Sequence, residues 1–312
     1  MNTNVDISIL VISYNTQEMT LACLRSVHEQ IRDLSFEIIV IDNNSSDDSV
    51  RIITSEFPDL NLIVCKENLG FARANNLAAE VAKGNYLLLL NPDTLVLNKA
   101  INKLHVFACN HPDNRVYGGR TLYGDFSLNP SSCWKKPSLW GLFCYATGLV
   151  SIFRRNVMFD PESYGSWQRD SVREVDIVSG CFLLIEKKLW DFLGGFDPLF
   201  FMYGEDADLC LRAIEAGARP IITPEATIVH YGGASEKVRA DKMIRLLRAK
   251  GQLIRRHWRP GVFRIGQLLL RCSVFTRMIC CSLLNRTNPR LFSARAESWN
   301  EIWQRRQEWQ HH

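Results

Sequence analysis

Residues 7–42 read ISILVISYNTQEMTLACLRSVHEQIRDLSFEIIVID. Ile7–Ser13 is an apolar run too short for a free-standing helix, and it predicts a strand buried on both faces. Thr20–Gln30 reads as a helix, and Glu37–Asp42 as a second buried strand. The alternation continues beyond this stretch. Asp47–Glu56 is an expected helix, Leu62–Cys65 a third strand, Ala72–Lys83 a third helix and Tyr86–Leu90 (YLLLL) a fourth strand. Short apolar strands separated by helices call for a mostly parallel sheet with helices on both faces. Right-handed crossovers then give a doubly wound α/β sheet.

Such sheets bind ligands beyond the carboxyl ends of their strands. Those ends read Ser13-Tyr14-Asn15, Asp42-Asn43-Asn44 and Asn91-Pro92-Asp93, all polar. No G-x-G-x-x-G follows the first strand and no G-x-x-x-x-G-K-[ST] occurs, so neither glycine-rich phosphate cradle is present. A carboxylate-bound Mg²⁺ or Mn²⁺ is the usual alternative for holding a diphosphate. Asp93, ending a buried strand, is placed to carry one. Taken alone, Asn91-Pro92-Asp93-Thr94 reads better as a polar turn with Asp93 capping the next helix.

The chain has 312 residues, enough for one large domain with an appendage, and 46% of them are hydrophobic, which excludes wholesale disorder. Charge is unevenly divided. Up to Ser235 there are 20 Lys+Arg against 28 Asp+Glu, and from Glu236 onward 17 against 5. An acidic body with a basic tail points to an anionic surface as the partner of the tail. We therefore expect a catalytic domain over residues 1–235 and a basic helical region over residues 236–312. The ten cysteines are scattered, with no C-x-x-C pair, and Cys23, Cys181, Cys210, Cys280 and Cys281 lie in apolar surroundings. Buried free thiols in a reducing cytosol fit them better than a disulfide framework. The polar start MNTNVD runs directly into a strand without a secretory pattern. A cytoplasmic protein, or one on the cytosolic face of a membrane, is expected.

The order of motifs resembles the family 2 glycosyltransferases, and within them the rhamnosyltransferase-like branch. The carrying residues are Val11-Ile12-Ser13-Tyr14-Asn15, then Asp42-Asn43-Asn44-Ser45-Ser46-Asp47, then Asn68-Leu69-Gly70-Phe71-Ala72-Arg73-Ala74-Asn75 and Asn91-Pro92-Asp93. Ser179-Gly180-Cys181, Gly194-Gly195-Phe196-Asp197, the stretch FMYGEDADLCLR over residues 201–212, Pro224-Glu225-Ala226 and His230 complete the series. The resemblance covers roughly residues 6 to 235. It implies a GT-A fold, an inverting transfer of sugar from a nucleotide-sugar donor, and a divalent metal.

It also implies a role for each matching position. Asp42 would accept a hydrogen bond from the ring N–H of uracil or thymine, with Tyr14 packing on that base and Arg73 lying along the nucleotide. The donor side is completed by Asn15, Asn44 and Asn91. Asp93 stands at the metal-binding carboxylate of the family's D-x-D, whose first Asp is here Asn91. An amide can bond the ribose but adds no charge. His230 matches a histidine that can complete the metal shell, and as a residue alone it reads equally as a buried histidine between two short strands. Asp206 would be the general base, with Gly180 and Glu205 on the acceptor side.

The residues around Asp206 allow a physical reading of their own. Glu205–Ala216 is an expected helix with an apolar stripe of Ala207, Leu211 and Ile214. Unsatisfied N–H groups and the positive dipole end at its start stabilise an ionised carboxylate, which explains Glu205, Asp206 and Asp208 without any chemistry. With the motif run as context, Asp206 is favoured as the base that takes the proton of the acceptor hydroxyl. Asp197 reads as a turn residue. The stretch from Thr121 to Asp176 is expected to be an irregular acceptor-side loop or lid.

The donor is expected to be dTDP-linked rhamnose, with UDP-hexoses as the alternative, and the acceptor a glycan or lipid-linked glycan of a bacterial surface polysaccharide. A nucleotidyltransferase would show a Gly-rich, Arg/Lys-bearing loop after the first strand, and Ser13–Gln17 has neither feature. A catalytically inactive sugar-nucleotide-binding protein is the third reading, against which Asp93 and Asp206 speak. In the tail, VFRIGQLLLRCSVFTRMICCSLL over residues 262–284 is long and apolar enough to suggest a membrane span. Arg264, Arg271 and Arg277 oppose that, each costing about 2.5–3.5 kcal/mol near a bilayer centre. Arg264, Gln267 and Arg271 share a helical face that Arg277 does not. Trp299, Trp303 and Trp309 suit a headgroup region, so peripheral membrane contact is expected. The competing expectation is packing against the catalytic domain or a second subunit of a homo-oligomer. No aromatic-and-basic motif supports nucleic-acid binding.

Overall fold

In the computed structural model, residues 5–154, 156–232 and 239–310 are described. They form two compact units. One comprises the described residues up to Trp134 and from Gln168 to 232, and the other Lys135–Trp167 with residues 239–310. The expected boundary at 235/236 lies outside the described residues. Residues 135–167 group with the C-terminal helices.

The first unit is built on a sheet in the order Asn61–Val64, Phe36–Asp42, Ile7–Ser13, Tyr86–Leu90, Phe182–Glu186, Val116–Leu122, Ile221–His230, Thr94–Val96. The first four strands run parallel, with Ser13 beside Asp42 and Asp42 beside Val64 at their carboxyl ends. Phe182–Glu186 runs antiparallel to both neighbours, so the sheet is mixed. Period-two burial splits each strand between two layers. Ile7, Ile9, Val11, Ile38, Val40, Leu88 and Leu90 share one cluster with Leu21, Leu24 and Val27 of the Gln17–Gln30 helix and Ile101 and Leu104 of the Ala100–Asn110 helix. Leu10, Ile39, Ile41 and Leu89 are equally buried. They face the other layer, where the Gly70–Val81 helix packs on the Ile7–Ser13 and Phe36–Asp42 strands. Truncating one of these core leucines to alanine would cost about 2–5 kcal/mol.

His230 does not lie between two short strands but ends one strand, Ile221–His230, whose register shifts between Thr223 and Thr227. Its far end pairs antiparallel with Thr94–Val96, setting His230 opposite Thr94.

In the second unit, the stretch expected to be irregular contains the helix Leu139–Thr147, capped by the Ser138 hydroxyl, which accepts from the Gly141 N–H at 3.0 Å. That helix packs on Pro260–Thr287, and Arg239–His257 and Pro289–Gln304 complete the unit. Its core unites Leu142, Ile244, Leu247, Ile254, Leu270 and Val274 with Ile302 and Trp309. The tryptophans expected at a headgroup region go inward instead. Trp309 is buried, its indole N–H donating to the Ile302 carbonyl, and Trp299 and Trp303 pack on the same core.

All ten cysteines are free thiols. Cys23, Cys181 and Cys210 are buried, and burial pushes the Cys23 and Cys210 thiols up to about 12. Cys280 is exposed and Cys281 half-buried, contrary to expectation, because both lie beyond Val274, the last buried residue of the Pro260–Thr287 helix.

Candidate active site

Asp42 ends its strand buried beside Ser13. Its Oδ2 accepts the Ser45 N–H at 3.0 Å, while Oδ1 is buried with no hydrogen-bond partner. A carboxylate oxygen left bare in this way awaits a donor, because an unsatisfied buried acceptor costs about 1–3 kcal/mol. Tyr14 is exposed at the neighbouring strand end and Arg73 is exposed on the Gly70–Val81 helix. Asn15 and Asn44 adopt left-handed backbone at φ 52° and 66°, as asparagine tolerates in tight turns. The Asn15 side-chain oxygen accepts from the Ser46 N–H at 2.7 Å, so it stitches the first two strand-end loops together.

A residue without an expected role organises this edge. Asn43 donates to the Asn68 side-chain oxygen at 3.0 Å and to the Gly70 carbonyl at 3.2 Å, and accepts from the Leu69 N–H at 2.8 Å. Gly70, at φ 75°, lies against Phe201, where any Cβ would strike the Phe201 carbonyl oxygen. The Phe71 N–H donates to that carbonyl at 2.9 Å. Asn76 clasps the Phe196 backbone, donating to its carbonyl at 2.8 Å and accepting from its N–H at 2.9 Å. These bonds fasten the Asn68–Asn76 segment to the chain leading into the helix Glu205–Glu215. The visible signal was the pair of asparagines flanking Gly70. Asp197 takes the expected turn position, accepting from the Leu199 N–H at 2.9 Å.

Asn91, Asp93 and His230 are brought together. His230 Nε2 lies 3.3 Å from Asp93 Oδ1 and 3.3 Å from Asn91 Nδ2. Strand pairing does this, since Thr94 faces His230 and the Tyr231 N–H donates to the Asp93 carbonyl at 3.0 Å. Burial opposes charge on the His230 imidazole, but the Cys181 sulfur and the Asp93 carboxylate outweigh it and lift its pKa to about 10. Among the described residues no group of three or more His, Cys, Asp or Glu is arranged to hold a metal. A metal would take the place of the His230 proton, since only the neutral imidazole ligates. One carboxylate and that imidazole then fit an ion of the Mg²⁺ or Mn²⁺ kind, which is commonly bound by one or two protein groups and completed by phosphate oxygens and water. The buried, unpartnered Nδ1 of His230 is a further site without its hydrogen bond.

Asp206 stands second in the Glu205–Glu215 helix, after Gly204 at φ 87°. Its Oδ2 accepts the Gly180 N–H at 2.9 Å and Oδ1 accepts the Ala207 N–H at 2.8 Å. Burial raises its pKa, and these two N–H groups oppose the rise. Glu205 is more deeply buried, and its Oε2 has no partner. Burial first and the neighbouring Asp206 second push Glu205 well above the ordinary carboxyl range. Both carboxyl pKa values are thus raised by burial, and at Asp206 the backbone N–H groups of Gly180 and Ala207 favour the ionised form. Asp208 is engaged elsewhere. It is fully buried in an ion pair with Arg212 at 2.7 Å, and Arg212 also grips the carbonyls of Leu193 and Gly195 at 2.8 Å each.

A buried carboxylate oxygen at a strand end, a carboxylate–imidazole pair at the sheet edge and an aspartate held by two backbone N–H groups at a helix start thus line one sheet margin. The family described as Glycosyl transferase family 2 matches residues 8–175, more than half of the chain. The chain belongs to glycosyl transferase family 2. Among its curated relatives is the O-antigen biosynthesis protein RfbC of Myxococcus xanthus, 23% identical over 75% of this chain but only 18% of that protein. Another is the N-acetylglucosaminyl-diphospho-decaprenol L-rhamnosyltransferase of Mycobacterium tuberculosis, 28% identical over 62% of this chain and 66% of that protein. The chain thus spans less than two thirds of the length of both. The fold is shared with the mannosyltransferase PcManGT from Pyrobaculum calidifontis in complex with GDP-Man and Mn²⁺, at a TM-score of 0.56 and 16% identity, over 96% of this chain and 86% of that one. This family 2 member is rhamnosyltransferase-like in its sequence relatives and has the GT-A architecture.

Proposed function

We propose that the protein is an inverting glycosyltransferase that moves a sugar from a nucleotide-sugar donor to a glycan or lipid-linked glycan in bacterial surface-polysaccharide assembly. Rhamnose from dTDP-rhamnose is the favoured donor. The observation that carries the reading is the setting of Asp206, whose carboxylate accepts the N–H groups of Gly180 and Ala207 at a helix start beside the buried Glu205. The Mycobacterium tuberculosis relative, an N-acetylglucosaminyl-diphospho-decaprenol L-rhamnosyltransferase, supports rhamnose as the sugar and a prenyl-diphosphate-linked glycan as the acceptor class.

In this reading the bare Oδ1 of Asp42 accepts the ring N–H of thymine or uracil, and Tyr14 covers the base. Arg73 and Asn91 lie along the rest of the nucleotide. Asp206 takes the proton of the acceptor hydroxyl while that oxygen attacks the anomeric carbon. The bond from that carbon to the diphosphate breaks with its electron pair leaving on the nucleotide, and configuration inverts. Mg²⁺ or Mn²⁺ would be held by Asp93 and His230 and would neutralise charge on the departing diphosphate.

The deciding experiment presents dTDP- and UDP-sugars with Mg²⁺ or Mn²⁺, following nucleoside diphosphate release and thermal stabilisation. We expect dTDP-rhamnose to stabilise the protein most and EDTA to abolish release. A larger response to a UDP-hexose would move the donor within the same reaction. Absence of any donor response, with EDTA without effect, would overturn the transferase reading.

A further inference from the structure

We infer that the second unit binds anionic lipid surfaces through one face of the helix Pro260–Thr287, lying in the plane of the membrane. At 28 residues the helix is about 42 Å long. Its buried residues, Gly266, Leu270, Ser273 and Val274, form one side, toward the core of the unit. The other side carries Ile265, Leu268, Phe275, Ile279 and Leu283, each between 41% and 60% exposed. Their spacing, with Cys272 filling the interval, confines them to roughly 80° of the helix circumference. An apolar stripe of this length on a soluble surface marks a contact site.

Charge identifies the occupant. Between Asp241 and Glu297 there are 13 Lys and Arg and no acidic residue. Arg264 and Arg271 run beside the stripe, Arg286 ends it, and all three are exposed. A second copy of the chain seated face to face on this stripe would set arginine against arginine. Lipid headgroups of opposite sign accept such a surface, at about 1 kcal/mol for each basic residue near it.

The structure also accounts for the one arginine that spoiled the amphipathic pattern. Arg277 is withdrawn from the exposed side, donating to the carbonyls of Ser273 at 3.1 Å and Tyr145 at 3.4 Å between the rings of Tyr145 and Trp299. By length and composition alone the helix could cross a membrane. Its packed inner face and its arginines favour the in-plane position.

The test is flotation of the full chain with vesicles of phosphatidylglycerol and phosphatidylethanolamine, against vesicles of phosphatidylcholine. Anionic vesicles should carry the protein up, and 0.5 M NaCl should release most of it. Replacing Leu268, Ile279 and Leu283 together by Gln should lower partitioning at least about tenfold. Circular dichroism and nucleotide binding should stay unchanged. The pair Arg264→Gln and Arg286→Gln, which touches no core residue, should remove the preference for anionic vesicles even if the triple variant folds poorly. Undiminished binding by both variants would overturn the inference. So would equal binding to neutral vesicles, resistance to alkaline carbonate extraction, or stripe-dependent self-association without vesicle binding.

Discussion

The backbone N–H of Gly180 donates to Asp206 Oδ2 at 2.9 Å, tying the turn before the Phe182–Glu186 strand to the start of the Glu205–Glu215 helix. Gly180 leaves little room there, since a Cβ would lie 3.3 Å from the Phe71 ring and 3.6 Å from the Asp206 Cβ. The carboxylate is thus fixed by backbone on one side and by its own helix on the other. Asp206→Asn keeps an oxygen able to accept from Gly180 but cannot take a proton. We expect donor binding to persist and transfer to fall by about 10²–10⁴-fold. Calorimetry of nucleotide binding beside a transfer assay checks this, and unimpaired transfer would remove Asp206 from the base role.

Glu205 gives the complementary prediction. Glu205→Gln mimics the protonated carboxyl that burial and Asp206 impose, so activity at neutral pH should change little. Stability should separate the two proteins with pH. The folded-state pKa of Glu205 lies well above its ordinary value of 4.5. Its contribution is complete below 4.5 and is lost as pH rises toward the raised value, because the unfolded chain releases the proton first. Melting curves from acid to mildly alkaline pH should therefore show the wild type losing ground to Glu205→Gln. Parallel curves would mean that Glu205 is ionised in the folded protein.

Much of this site was readable because its parts are local. Strand ends at Ser13, Asp42 and Leu90 follow from apolar runs that stop at polar residues, and Asp206 follows from a helix start. What sequence hid depends on distant partners. His230 reaches Asp93 only because Ile221–His230 continues as a strand through Pro224-Glu225-Ala226, residues that break any regular pattern. Leu139–Thr147, apolar on nearly every side, shows no amphipathic period, and its helix is explained by packing on Pro260–Thr287. Asn43 was visible within a motif, but its clasp on Asn68 and Gly70 required the fold.

Asp42→Ala should weaken binding of dTDP and UDP alike. A hydrogen bond to a charged group contributes about 1.5–3 kcal/mol, which corresponds to a rise in Kd of about 10–100-fold. The effect should be as large for the free nucleoside monophosphate as for the diphosphate, because Asp42 Oδ1 would meet the base. Loss confined to the diphosphate would place the nucleotide differently.

Asp93 and His230 should act on metal rather than on the base. His230→Gln should raise the Mn²⁺ concentration needed for half-maximal transfer by at least about tenfold. Asp93→Asn should abolish metal-dependent binding of the diphosphate, and neither change should alter binding of the monophosphate. Direct Mn²⁺ titration by electron paramagnetic resonance separates this from a folding defect. Equal Mn²⁺ affinity in all three proteins would place the ion elsewhere.

The second unit contains its own half-buried ion pair, and it should contribute to the stability of that unit. Lys250 Nζ lies 2.7 Å from Glu162 Oε2 and 4.7 Å from the centre of the Tyr145 ring, with 23% and 13% of the two charged side chains exposed. Burial works against the Lys250 charge, but Glu162 and Tyr145 overcome it and leave its pKa above the ordinary 10.5. The pair's contribution is therefore intact below 10.5 and lost only as pH rises through the raised value. Glu162→Gln strands the ammonium and should cost about 3 kcal/mol, evenly between about pH 6 and 9. Replacing both partners, with Lys250→Met and Glu162→Leu together, removes the stranded charge and should recover most of that loss. Urea unfolding followed by tryptophan fluorescence reads the change in a unit whose core includes Trp309. If the double variant proved as unstable as Glu162→Gln, the loss would come from packing around Tyr145 rather than from an unpaired charge.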